Sequence, residues 1–525
     1  MRFNFLKKAL IIAGLCLPAF ANAQNKPNWQ NLDLKTDSVF GISTEKAYNE
    51  LLKGKKHVTV LVAVIDGGVD ITHEDLQGVI WTNPKEIAGN KKDDDKNGYI
   101  DDIHGWDFIG GDTGDVHWDN LEATRQVRAF KPKFENADTT KLSAADLVAY
   151  HKYLIVKADV DKQLKAAQNG LARLTKFETI IDSMLTSMNN QDPTVADFKK
   201  YTPTSPNQKF LEGILIGNMG SMDYKEFKKE ALDAGIDHYK VQLDYQLNVN
   251  FDPRGIVGDD YNNDKQRNYG NNDVTGPDAH HGTHVSGIIG AVRDNNIGVK
   301  GVANDVMIMS VRTVPDGDER DKDVANAIRY AAANGAKVIN MSFGKDYSWD
   351  KKAVDEAVKY AVSKDVLLVH AAGNDNNDKD SLINFPNKIY ADGSGEASTW
   401  IEVGASGPKD DESLKASFSS YGKVGVDVFA PGVLINSTVP GSKYAEYSGT
   451  SMATPVVVGL ATLIRSYYPK LTALQVKEII LKSVTKVDHD VIIRGKVTKK
   501  VPFSALCATG GIVNAYEALK LAATY

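Results

Sequence analysis

Short apolar runs, rich in β-branched residues, recur along the chain at 58–65, 306–311, 338–341, 366–369, 401–403 and 426–429. Runs of this kind, mostly unbroken by polar residues, predict strands covered on both faces, as in a parallel sheet. Small and apolar residues at three- and four-residue spacing fill 322–334, 352–363, 451–467 and 473–484, and the first of these stops at Gly335. That spacing predicts helices, with glycine as a stop. Strands alternating with helices predict an α/β fold, a mostly parallel sheet with helices on both faces. Ligand sites of such sheets form beyond the carboxyl ends of the strands.

The rhythm breaks between residues 120 and 247. Ser143 and Asp146 have the spacing of a helix N-cap, and Leu147, Tyr150 and Leu154, then Leu171, Leu174, Ile181 and Leu185, recur at helical spacing. The pattern predicts a large helical insertion at 120–247, a hairpin of helices with a third helix near 224–247. Polar, proline-containing linkers at 189–193 and 202–206 separate its parts. The α/β domain is then assembled from 56–119 and 248–522.

Residues 1–23 join Arg2, Lys7 and Lys8 to an apolar run from Ala9 to Phe20 and a small-residue site, Ala21-Asn22-Ala23. This is the pattern of a secretory signal peptide, and its apolar run is too short to span a bilayer comfortably. Leu15 stands before Cys16 where a bacterial lipoprotein signal carries a small residue, which weighs against a lipid anchor. The expectation is an exported protein, periplasmic or extracellular, with no transmembrane anchor after signal removal. Residues 24–55 read as a short N-terminal extension or pro-segment.

Composition narrows the function. Over 525 residues, 42% are hydrophobic and 25% charged, which excludes a wholly disordered, collagen-like or coiled-coil chain. The net charge of −6 argues against nucleic acid as a partner, because phosphate binding needs a basic surface. Cys16 and Cys507 are the only cysteines, so loss of the signal leaves no intrachain disulfide. An exported chain of this kind needs a large core, a bound metal, or both. Cys507, in an apolar run, reads as a small buried hydrophobe.

Three segments carry candidate chemistry. Asp66 ends an apolar run and is followed by Gly67-Gly68. His281-Gly-Thr-His284 opens a predicted helix. Gly449-Thr-Ser451-Met-Ala-Thr-Pro455 opens another. A serine hydroxyl is a weak nucleophile until an imidazole takes its proton, and the imidazole needs a carboxylate to fix its tautomer. His280, His281 and His284 also invite a zinc reading, but the glutamate of an H-E-x-x-H site is missing.

Together the three segments resemble those of the subtilisin-like serine peptidases, the subtilases, in the order Asp, His, Ser. Val338–Gly344, His370–Asn374, Phe418–Gly422, Val428–Gly432 and Gly510–Ala515 are similar to further landmarks of that family. The resemblance implies a subtilisin-like fold and a serine endopeptidase that hydrolyses proteins or peptides through an acyl-enzyme. It implies Ser451 as nucleophile, His281 as base and then acid, and Asp66 as its orienting carboxylate. Asn374 and the Ser451 backbone N–H would hold the oxyanion. Ser342, Phe343, Gly344, Ala372 and Gly373 would bind the substrate by backbone pairing. Two departures stand out: His281 lies 215 residues after Asp66, and only a short stretch precedes the first strand. The alternatives are an inactive scaffold of this fold that only binds a partner, and an exopeptidase or tripeptidyl peptidase whose cleft the insertion closes at one end.

A second candidate is calcium. Residues 93–102 place Asp93, Asp95 and Asn97 at alternating positions before Gly98, as at the start of an EF-hand loop. The candidate ligands are Asp93, Asp95, Asn97, the Tyr99 carbonyl, and Asp101 or Asp102. His104 stands where an EF-hand has its closing glutamate.

Overall fold

The computed structural model describes residues 26–220, 222–495 and 497–525. The signal segment 1–23, with Cys16, lies outside the described residues. Residues 26–118 and Pro253–Tyr525 form one compact unit and Asp119–Asp252 a second.

The first unit is built on a nine-stranded sheet: β1 (Val60–Asp66), β2 (Gly105–Asp107), β3 (Val306–Arg312), β4 (Val338–Met341), β5 (Leu367–Ala371), β6 (Trp400–Ser406), β7 (Val428–Pro431), β8 (Thr485–Lys486) and β9 (Gly511–Ile512). Its order is β8-β9-β7-β6-β5-β4-β1-β3-β2. Every pairing is parallel except β8 with β9. All six predicted strands are present; 338–341 matches at both ends, and the others differ by up to three residues at an end. Two antiparallel hairpins, Ile435–Val439 with Lys443–Tyr447 and Asp490–Ile493 with Lys499–Pro502, gave no comparable sign.

Alternation along the strands divides the core into two layers. Ala63, Ile65, Met309, Val311, Ile339 and Met341 pack with Val324, Ile328, Val354 and Val358 of the Asp321–Ala333 and Lys351–Ser363 helices. The His280–Gly290 and Thr450–Tyr467 helices pack on each other and cover the opposite face. The second is buried along nearly its whole length, which is why its sequence is apolar all round. Residues 26–55 are fastened to this unit. Trp29 is buried and donates its indole N–H to the Val433 carbonyl (3.2 Å), and Asn31 Nδ2 donates to the Lys300 carbonyl (2.9 Å). Cys507 is buried against Phe503 and Leu506, as a small hydrophobe would be.

The register fixes the working edge. Ile65 pairs with Met341, Met341 with His370, and His370 with Glu402. The next residues on these strands, Asp66, Ser342 and Ala371, therefore emerge side by side at the carboxyl edge, where the strand order reverses around β1.

One buried group in this unit makes stability depend on pH. Lys415 is 2% exposed, donating to Asn376 Oδ1 (2.7 Å) and the Ala416 carbonyl (3.1 Å). Burial pushes its ammonium down to about 7. The unfolded chain then binds more protons than the folded one between about pH 7 and the ordinary lysine value of about 10.4, so stability rises with pH across that window. Melting of wild type should climb from about pH 7.5 to about pH 9.5 relative to Lys415→Met. Parallel curves for the two would contradict the assignment.

The second unit departs from the expected hairpin. A single 45-residue helix, Ala144–Met188, replaces its two arms. Its N-cap is as expected, with Ser143 Oγ accepting from the Asp146 N–H (3.1 Å). The apolar gap between Leu154 and Leu171 is not a turn: Val156, Val160, Ala167 and Gly170 are buried there. A Cβ on Gly170 would stand 2.2 Å from the Tyr239 ring, so this glycine marks close packing within a helix rather than its end. Leu147 and Leu154, assigned to the apolar stripe, are 36% and 43% exposed. The expected third helix is a run of α and π turns from Tyr224 to Gln246. The Glu122–Phe134 helix escaped the pattern because its buried face includes Glu122, Thr124, Arg125 and Gln126. Leu174, Leu185, Phe198, Leu215 and Phe227 form the core of this unit.

Candidate active site

Asp66 closes β1 and is 2% exposed. Its Oδ1 accepts the Gly67 N–H (2.8 Å), and the His281 Nδ1 lies 2.7 Å from Oδ1 and 2.9 Å from Oδ2. An ionised carboxylate only accepts, so the imidazole N–H points to Asp66 and Nε2 is the nitrogen left for a substrate-side proton. His281 sits in the first turn of the His280–Gly290 helix. Gly282 makes the approach possible: a Cβ there would lie 2.2 Å from the Gly68 carbonyl oxygen. Only a bare backbone lets the helix start touch the end of β1.

Ser451 is the second residue of the Thr450–Tyr467 helix and is 3% exposed. Its hydroxyl donates to the Ser342 carbonyl (3.0 Å), while the Ser342 hydroxyl donates to the Ser451 carbonyl (3.0 Å). Asn340 Nδ2 donates to the Ser342 hydroxyl (3.0 Å). This reciprocal pair locks the helix start against the end of β4. At a helix start the first backbone N–H groups have no partner within the helix, and the dipole favours negative charge.

Asn374 is aimed by Thr450. Its Oδ1 accepts the Thr450 N–H (2.8 Å) and hydroxyl (3.1 Å). The Thr450 hydroxyl also accepts the Gly373 N–H (3.2 Å). With the amide oxygen tied to a donor, the amide nitrogen must face the other way. Both amide atoms lie 3.7 Å from where a Cβ of Gly449 would stand, which puts the amide beside the turn that carries Ser451. Thr450 was not singled out in the sequence, where it is one residue of a helix start. Its role exists only because β5 and that helix converge.

Two neighbouring histidines do other work. His284 is buried, with Nε2 3.0 Å from the Ile435 carbonyl and 2.9 Å from the Ala445 carbonyl, and it stacks on Tyr447. Burial pushes it down to about 3, so it stays neutral. His280 is exposed and faces Asp278 through Nδ1 (2.8 Å). The three histidines thus point at three different partners rather than at one point, which disfavours zinc.

The acidic loop gathers a different set from the one expected. Asp95 and Asp102 meet Glu86, with one carboxylate oxygen of each within 4.8 Å of the others. Glu86 has no spacing signal, being nine residues before Asp95. Its Oε1 accepts the N–H groups of Asp94 and Asp95 (2.9 and 3.0 Å), while its buried Oε2 has no hydrogen-bond partner among the described residues. Asp102 is fully buried. Burial, with the Asp95 charge adding to it, pushes the Asp102 carboxyl up to about 6. Asp101 gives both oxygens to backbone, accepting the Gly89 and Lys91 N–H groups (3.0 and 2.8 Å). Asp93 accepts the Asn97 and Gly98 N–H groups (3.0 and 2.8 Å). Asn97 accepts the Tyr99 N–H (2.8 Å) and donates to Asp102 (3.0 Å). Of the expected ligands, Asp95 and Asp102 converge on one point, while Asp93, Asn97 and Asp101 build the turn.

Curated proteins similar to the chain are proteases. A thermophilic serine proteinase of Bacillus sp. (strain AK1) is 38% identical over 236 residues, 45% of this chain and 51% of that protein. Thermitase of Thermoactinomyces vulgaris is 43% identical over 187 residues, 35% of this chain and 61% of its own. Subtilisin BL of Lederbergia lenta is 38% identical over 206 residues, 39% of this chain and 70% of its own. The chain thus spans little more than half the length of the first of these relatives. A solved protease structure from Pseudoalteromonas arctica is 27% identical, with a TM-score of 0.40, over 48% of this chain and 78% of that one. The sequence model of the subtilase family matches residues 58–497, and the chain belongs to that family.

Proposed function

We propose that the protein is a serine endopeptidase that cleaves proteins or peptides with Asp66, His281 and Ser451 as its triad. The observation that carries this reading is the buried Asp66–His281 contact at 2.7 Å, made at the sheet edge from which Ser342 holds the Ser451 hydroxyl. In the reaction His281 Nε2 takes the Ser451 proton as the oxygen attacks the substrate carbonyl. The same nitrogen then gives that proton to the leaving amine, and a water repeats the sequence on the acyl-enzyme. Asn374 Nδ2 and the Ser451 backbone N–H stabilise the oxyanion, a contribution of about 3–4 kcal/mol for one such donor. Ser342, Phe343 and Gly344 on one side, with Ala372 and Gly373 on the other, flank an extended substrate strand. Pairing of that kind has no need of a free chain end, which supports an endopeptidase.

A fluorophosphonate probe tests the reading. Wild type should be labelled and Ser451→Ala should not, and digestion of a denatured protein should give internal fragments of varied length. An unlabelled wild type would leave a binding scaffold, and uniform tripeptide products would leave an exopeptidase. Export rests on the signal pattern of residues 1–23 and is proposed with the activity.

We infer further that Glu86, Asp95 and Asp102 hold a calcium ion of structural role. The donor set fits: three carboxylates converge, one oxygen lacks a partner, and one carboxyl is disfavoured as an anion without a counter-cation. When bound, the ion would tie the 93–102 turn to Glu86 and would not enter the reaction. At a calcium level 100 times Kd the added stability is about 2.7 kcal/mol. Each kcal/mol is worth roughly 1–2 °C in a unit of this size. Chelation should lower the wild-type melting temperature accordingly and leave Glu86→Gln with Asp102→Asn unmoved. Identical melting of wild type with and without chelator would exclude the ion.

A further inference from the structure

We propose that the substrate side chain just before the scissile bond is recognised as a carboxylate, held by the Lys379 ammonium over a floor built from His370 and Glu402. This rests on the peptidase reading, and on Gly344 and Gly373 as facing walls of the cleft.

What lies behind the two walls is polar on both sides. A Cβ on Gly344 would stand 3.6 Å from His370 Nε2 and 3.6 Å from Asn384 Nδ2. A Cβ on Gly373 would stand 3.6 Å from Lys379 Nζ and 3.5 Å from Ser420 Oγ. The absent side chains open the space between the walls toward these groups. An apolar specificity pocket would be lined by carbon instead.

The floor follows from the register of the sheet. His370 and Glu402 are partners on neighbouring parallel strands, so their side chains leave the same face. His370 Nδ1 lies 3.0 Å from both Glu402 oxygens, and the Trp400 indole N–H donates to Oε2 (2.9 Å). Glu402 is 4% exposed and fully engaged. Its negative charge is therefore committed to His370 and Trp400. His370 is fully buried, and its Nε2, directed at Gly344, has no hydrogen-bond partner among the described residues.

Lys379 is the uncommitted charge. Among the described residues no carboxylate oxygen lies within 4.0 Å of its Nζ and no hydrogen bond accepts from it. Glu402, Asp375 and Asp346 attract it from farther off, yet burial outweighs them and the ammonium is held below the usual lysine range. Lys379 is half-buried, and a partly desolvated ammonium without a contact partner carries a cost that a carboxylate arriving beside it reduces. The Ser420 hydroxyl and the Asn384 amide add neutral donors. An apolar side chain would bury Lys379 further without pairing it, and a lysine or arginine would bring like charges together.

Four peptides that differ only at this residue (Glu, Gln, Phe and Lys) decide the matter, with rates expressed per mole of enzyme that reacts with a fluorophosphonate. Wild type should favour Glu over Gln in kcat/KM by on the order of tenfold or more, since the site holds an unpaired, half-buried cation that only the carboxylate can pair. Lys379→Met should erase that ratio, and Lys379→Glu should turn the preference toward Lys. A wild type that is labelled but prefers Phe or Lys, or treats Glu and Gln alike, overturns the inference and leaves the peptidase standing. So does a Lys379→Met variant that keeps the Glu preference. A wild type that is neither labelled nor active overturns both. Should the Lys379 variants fail to fold, the four rates of wild type suffice.

Discussion

Ser451→Ala is expected to lower kcat by about a millionfold; that size is known for subtilisin, a relative of this chain, and is taken over from it. The physical reason is local. In the proposed reaction the hydroxyl forms the acyl bond, and its place is set by a carbonyl rather than by solvent, through the 3.0 Å bond to Ser342. Alanine removes that bond and the nucleophile together. The neighbouring anchors survive: the Ser342 hydroxyl still donates to the carbonyl of residue 451, and Thr450 still holds Asn374. The variant should therefore fold, bind peptides and show residual hydrolysis from the oxyanion donors alone. Steady-state hydrolysis together with melting checks both halves. Activity within tenfold of wild type in a folded variant would remove Ser451 as the nucleophile.

Asp66→Asn should fold normally and lose about 10⁴-fold in kcat. One oxygen of Asp66 serves two donors, the Gly67 N–H at 2.8 Å and His281 Nδ1 at 2.7 Å. An asparagine keeps a single oxygen. If that oxygen stays with Gly67, the new NH2 faces Nδ1 and forces the imidazole to carry its proton on Nε2. That nitrogen can then no longer accept from Ser451. If the amide is turned over, two N–H groups confront each other at Gly67 in a site that is 2% exposed. The first arrangement is the less costly, so the fold holds and the base is lost. The fluorophosphonate reaction should slow by a similar factor, because it too needs an activated hydroxyl. A variant that reacts at the wild-type rate would show that Asp66 does not set the tautomer.

The acidic loop shows where reading the sequence stopped short. Alternating oxygens before Gly98 located the turn, and Asp95 and Asp102 stand in the cluster. Glu86 carried no sign because a ligand set is closed by whatever the fold brings near, and spacing records only what lies on one turn. The same limit explains the long helix. A gap in the leucine stripe resembles a turn when side chains are large on both sides of it. Gly170 instead lets Tyr239 come close, Ala167 is buried in the gap, and the helix runs on.

The strand runs, the parallel α/β architecture and the three segments bearing Asp66, His281 and Ser451 were legible along the chain. Each of these is a local matter of periodicity or of residue type beside a glycine. Which atoms meet depends on the packed fold. Parallel register set Asp66 beside Ser342, gave Thr450 the task of aiming Asn374, and placed His370 against Glu402 behind Gly344. Those pairings join residues tens to hundreds of positions apart, and only the packing of the sheet and its helices brings them within hydrogen-bonding distance.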